Sequence, residues 1–139
     1  MLTRRTLMIA MAAAPLRADS ADQVREVLAS FASALSDSND SLALDAFDKS
    51  MPEYERLRAN IAAMVNEAAI ENSIDVLEND GDDQKRTMLV DWVLRIEQRT
   101  GATAAVRRQQ KVTVKFEKRG RKWKIVGLDP VSFFDMPRF

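Results

Sequence analysis

The sequence contains neither cysteine nor histidine. Without cysteine there is no disulfide, no thiolate nucleophile and no lipid attached through sulfur. The loss of histidine as well removes the donors of nearly all zinc, copper and haem sites, and the base of every Ser-His or Cys-His mechanism. No metal and no cofactor is therefore expected. Long apolar runs are also missing, since nothing reaches the roughly 18 residues that a membrane-spanning helix needs.

What is present begins with Arg4 and Arg5 ahead of an apolar run from Leu7 to Leu16, closed by Leu16-Arg17-Ala18. Basic, then apolar, then a small residue is the order of an export signal, so residues 1–18 are expected to be removed and the protein to be periplasmic or secreted. Thr3-Arg4-Arg5-Thr6-Leu7 also looks like a twin-arginine signal. Three of the 21 basic residues and none of the 21 acids lie in 1–18, so the neutral total becomes a net charge of −3 without that segment. The remainder, 19–139, has the length of a single domain with one core.

Hydrophobic periodicity divides that domain in two. Ser20 with Gln23 resembles a capping box, and Val24, Val27, Leu28, Phe31 and Leu35 then share one face of a helix over about 21–36. Asp37-Ser38-Asn39-Asp40 ends it and starts a short second helix that is expected to turn Leu44 and Phe47 inward, with Leu42 at the margin of that face. Ser50, with Pro52 and Glu53 after it, is expected to cap a third helix striped by Tyr54, Leu57, Ile61, Met64, Val65 and Ala68.

After Ile70 the period drops to two. Ser73–Glu78 reads as a modest strand, followed by a long one with Met88, Val90, Trp92, Leu94 and Ile96 on its dry face. Asn79-Asp80-Gly81-Asp82-Asp83 between them has the look of a calcium loop, but an EF-hand register would put Val76 first and Thr87 last, so it is a hairpin turn. A third strand over about 104–118 sets Val112, Val114 and Phe116 against Lys111, Lys115 and Glu117. An Arg119-Gly120 turn would pair Phe116 with Trp123 and Val114 with Ile125. The same parity across the loop at Gly101 sets Trp92 opposite Val112 and Val90 opposite Val114. Arg107, Lys111, Lys115, Lys122 and Lys124 then fall on the reverse, wet face.

Phe31 in the first helix, the short second helix, Met51-Pro52-Glu53-Tyr54 opening the third, Val90-Asp91-Trp92 in the long strand and Gly120-Arg121-Lys122-Trp123-Lys124-Ile125 in the last follow one another in an order that resembles the nuclear transport factor 2-like superfamily. That group has a cystatin-like fold and includes SnoaL-like cyclases and ketosteroid isomerase. The resemblance implies an α+β fold, with three N-terminal helices packed in the concave face of a curved four-stranded antiparallel sheet. It also implies an apolar pocket inside this cone and a dimer through the open sheet face. In the enzymes of the superfamily, acids, tyrosines and histidines inside the cone move protons.

Four residues are candidates for lining such a pocket. Tyr54 shares the inward stripe, where its hydroxyl would orient a ligand at the mouth. Trp92 lies on the dry face. Arg108 and Gln110 carry inward parity and yet are polar, which suits a small apolar or anionic ligand. Asp45 and Asp48, three apart, read as a solvated face, and Asp91 as a cross-strand ion partner. Residues 104–124 hold nine basic side chains against one acid. Without exposed aromatics to stack bases, that patch is expected to be a solvated or dimerising face and not a nucleic-acid site. The expected function is a non-catalytic small-molecule-binding or dimerisation module. The alternatives are an isomerase or lyase of the ketosteroid-isomerase type using a pocket carboxylate and Tyr54, and a polyanion binder using the basic face.

Overall fold

A computed structural model describes residues 19–101 and 104–139. The expected export signal therefore lies outside the described residues. The first helix, α1 (Ser20–Ser36), buries Val24, Leu28, Phe31 and Leu35 of the stripe that the period of 3.6 marks, together with Ala34, while Val27 is half-buried. Its cap is Asp19 and not Ser20: the Asp19 carboxylate accepts from the Asp22 amide at 2.9 Å, while the Ser20 hydroxyl donates to Asp83 at the far hairpin. A carboxylate is the better partner for a helix N-terminus, and it stood one residue earlier.

Asn39 caps α2 (Asp40–Asp45), which buries Ala43 and leaves Leu42 55% exposed. Phe47 follows the helix and is buried. The third helix, α3 (Tyr54–Glu67), begins later than the Ser50 signal implies. Asp48 takes both the amide and the hydroxyl of Ser50, at 2.9 and 2.7 Å, so the intended cap is consumed in a local turn. Glu53 then adopts a left-handed φ of 62°, and the helix starts at Tyr54. All five residues expected on its stripe within the helix are buried.

The bonds from Ser50, and then Arg119, hold the Asp48 carboxyl at about 2, below its usual 3.8. A depressed acid stabilises the fold above its unfolded pKa and loses that contribution as pH falls towards the folded value. The stability gap between wild type and Ser50→Ala should therefore be full above about pH 4 and close towards pH 2. Urea titrations at the two extremes test it, and a pH-independent gap would contradict the assignment.

With no loop between, α3 passes into β1 (Ala68–Gly81), far longer than the Ser73–Glu78 strand read from sequence. Its polar inward residue Asn72 hides the alternation. The sheet continues through β2 (Lys85–Gln98), β3 (Ala105–Arg119) and β4 (Lys122–Asp129), all antiparallel in the order β1-β2-β3-β4. It is curved and unclosed, with the helices in its concave side, so the fold is the expected α+β cone. The outer edge of β4 is sealed by the segment after α2: Ile125 donates to the Ala46 carbonyl and accepts from the Asp48 amide. Residues 131–134 form a final 3-10 turn that folds back inside.

Parity holds throughout, and register does not. Met88, Val90, Trp92, Leu94, Ile96, Val112, Val114, Phe116, Trp123 and Ile125 are all buried on one face. Both expected hairpin registers are nevertheless off by two residues. Phe116 pairs with Ile125, and Trp123 faces Lys118, because the two-residue loop is Gly120-Arg121 with Gly120 in its first position at φ 65°. A bulge at the Lys115–Phe116 step then sets Val114 opposite Leu128. Across the Gly101 loop, Trp92 faces Gln110 and Val90 faces Val112. A shift of two keeps every side chain on its face, so the core pattern cannot detect it.

Candidate functional site

The interior of the cone is the place where the sequence puts its four candidates, and the chain itself occupies it. Val131, Phe133 and Phe134, from the final turn, are buried inside. Phe134 is fully enclosed, meeting Phe31, Trp92 and Phe133 edge-on with ring centroids 5.0–5.6 Å apart. Phe31 in turn meets Phe47 at 5.0 Å and Trp92 at 5.8 Å. Such T-shaped contacts set the positive ring edges against negative faces, which adds to the burial of area.

Each candidate has a place relative to this plug. Trp92 is wholly buried, and its indole N–H donates to Asn72 Oδ1 at 3.2 Å. Asn72 also donates to the Ala32 carbonyl and the Ser36 hydroxyl, so one amide ties α1, β1 and β2 together. Arg108 is half-buried and donates to the Phe133 carbonyl at 2.8 Å, holding the plug from below. Burial pulls its pKa down, with Asp135 opposing. Gln110 is exposed, on the part of β3 that β4 does not cover. Tyr54 is buried at the start of α3, and its hydroxyl bonds to no described residue. The plug thus joins Trp92 and Arg108, while Tyr54 and Gln110 stand apart from that pair.

A latch on α3 fastens the tail beyond. Arg56 grips Asp135 through two bonds of 3.2 and 2.7 Å, and Asn60 accepts from the Met136 amide at 2.7 Å. Asp135, followed by Glu53, raises the already high pKa of Arg56. Neither the plug nor the latch has a periodic signature, and the only hint of them is the adjacent Phe133-Phe134 pair after Pro130.

The remaining expectations resolve locally. Asp48 is held by Arg119 at 3.0 Å, and Asp45 is largely exposed. Asp91 accepts from the Gln109 amide at 3.1 Å, so its partner is not an ion. Asp82 bonds the Gln84 and Lys85 amides in the β1–β2 turn, which lowers its pKa. Ser20 is the one polar residue among the buried described ones, so no carboxylate lies in the core they form. Three described cavities, of about 340, 310 and 230 Å³, lie around β4 and its hairpin, and none is lined by Tyr54, Trp92, Arg108 or Gln110.

With three helices in the hollow of a four-stranded sheet, the chain has the nuclear transport factor 2-like, cystatin-like fold. Solved structures agree. A conserved protein from Planctomyces limnophilus superposes with a TM-score of 0.68 at 13% identity, over 75% of this chain and 88% of that one. An NTF-2-like protein of unknown function from Shewanella oneidensis gives 0.56 at 12%, over 77% and 94%. A protein of unknown function with a cystatin-like fold from Nostoc punctiforme gives 0.55 at 19%, over 78% and 90%. No family model matches the sequence, and no curated protein matches it.

Proposed function

We propose that this chain is a non-catalytic, self-associating module, exported by residues 1–18, that pairs through the open face of its sheet. The observation that carries the reading is the plug: Phe133 and Phe134 take the volume in which a ligand of the cone would sit. An isomerase would need a carboxylate beside Tyr54, and the described core contains none.

The open face favours a second copy as partner. On β1, Glu71, Asp75, Glu78 and Asp80 are exposed, and on β3 so are Arg107, Lys111 and Lys115. Two strand spacings, about 10 Å, separate these stripes, too far for direct ion pairs within one copy. Between them on β2, Leu89 and Val93 are half-buried. The charges of β2 itself are already engaged, Asp91 by Gln109 and Arg95 by Glu97. A copy turned about an axis parallel to β2 lays acid over base twice, with Asp75 over Lys111 and Glu71 over Arg107, because each pair shares a row across the strands. A polyanion would meet the acidic stripe on the same face, which weighs against that alternative.

Protein recovered from the exported fraction should begin at Asp19 by intact mass and sediment as a dimer. Lys111→Glu and Asp75→Lys should each weaken the dimer about tenfold or more, and the double variant should recover it. A monomer at all concentrations, or reversals that add instead of cancelling, would refute the pairing.

A further inference from the structure

Outside both the cone and the sheet face, α1, α2 and the β3–β4 hairpin enclose a groove of about 340 Å³. Its floor is apolar: Val27 and Phe31 from α1, Leu42 and Ala46 from the α2 region, and the edge of Trp123. Leu42 is 55% exposed here, one of the few large apolar side chains left open among the described residues. Trp123 is buried apart from the part of the ring that lines the groove, and its indole N–H already donates to Gln23 at 2.8 Å, so it offers an apolar wall without an unmet hydrogen bond.

The rim supplies the second half of the chemistry. Lys124 is occupied, donating to the Asp45 carbonyl and standing 3.8 Å from the Asp45 carboxylate. Arg121 and Lys122 are exposed and form no ion pair or side-chain hydrogen bond with any described residue. Glu26 of α1 also lines the groove and is exposed, and with Asp45 engaged by Lys124 the rim keeps two adjacent cations, Arg121 and Lys122, with no partner among the described residues, against that one acid. A net positive rim above an apolar trough complements a molecule with an anionic head and a short apolar body. The volume is at the lower end of small-molecule sites, which fits a ligand of modest size.

We infer that this groove binds small amphiphilic carboxylates, the apolar chain lying against Leu42, Val27 and Trp123 and the carboxylate held by Arg121 and Lys122. A guanidinium beside an ammonium suits a carboxylate, which the first can meet through two bonds and the second as a point charge. Because the site shares no residue with the proposed dimer face, loss of pairing would leave the inference standing.

The test titrates the whole protein with octanoate, using octanol and octylammonium as probes of the same chain length with other heads, and follows backbone and indole signals by NMR. Saturable octanoate shifts should centre on Leu42, Val27 and the Trp123 indole, and weaken as salt is raised. Octanol should bind several-fold more weakly and octylammonium hardly at all. Arg121→Glu with Lys122→Glu should lower octanoate affinity at least tenfold and favour octylammonium. Leu42→Asp, at an exposed position, should lower octanoate affinity without altering the unfolding midpoint. Shifts elsewhere, equal binding of all three probes, or octanoate affinity unchanged by the charge reversals would each overturn the inference.

Discussion

Phe134→Ala should destabilise the fold by about 3–5 kcal/mol, the usual cost of removing a buried aromatic ring. The side chain has no exposure and touches three other rings, so neighbours on every side lose contacts that they cannot easily recover. Collapse of the site is resisted because the chain is held on either side of Phe134, by Arg108 on the Phe133 carbonyl and by Arg56 on Asp135. A dry apolar hole should therefore remain, and such holes admit xenon or benzene. Denaturant unfolding measures the loss, and xenon-induced shifts around Phe31 and Trp92 report the hole. A cost below about 1 kcal/mol would mean that the final turn lies against the cone without completing its core.

Trp92→Ala is the second large effect, again about 3–5 kcal/mol, and for a partly different reason. Trp92 fills the centre of the sheet's inner face and is also tethered through Asn72 to α1. Asn72→Ala alone should cost about 1–3 kcal/mol, because it leaves the indole N–H buried and unpaired. In a Trp92→Phe background the same Asn72 change should cost less, since no donor remains to be stranded. Equal costs in both backgrounds would show that Asn72 acts through Ala32 and Ser36 and not through the tryptophan.

The calculus of faces was readable in advance because burial follows a period of two along a strand and 3.6 along a helix. Trp92, Phe116, Trp123 and Ile125 are indoors for that reason, and Lys111, Lys115 and Lys122 outdoors. Helix starts were less legible: Ser50 carries the correct side chain for a cap, but Asp48 claims it first. The four candidate pocket residues divided along the same line. Trp92 and Arg108 converge on the plug, Tyr54 lies in the core at the start of α3, and Gln110 is exposed where β4 has ended.

Which face of each long helix and strand turns to the core, and that three helices precede a sheet, follow from local alternation and spacing and need no knowledge of distant residues. Strand register, and the identity of the group that fills the cone, depend on chain segments far apart in sequence. A two-residue slip leaves every face unchanged, and nothing near Trp92 announces that Phe134, 42 positions later, will come to lie 5.0 Å from it. Only packing in three dimensions, where one volume can be filled once, selects between a hollow cone and a closed one.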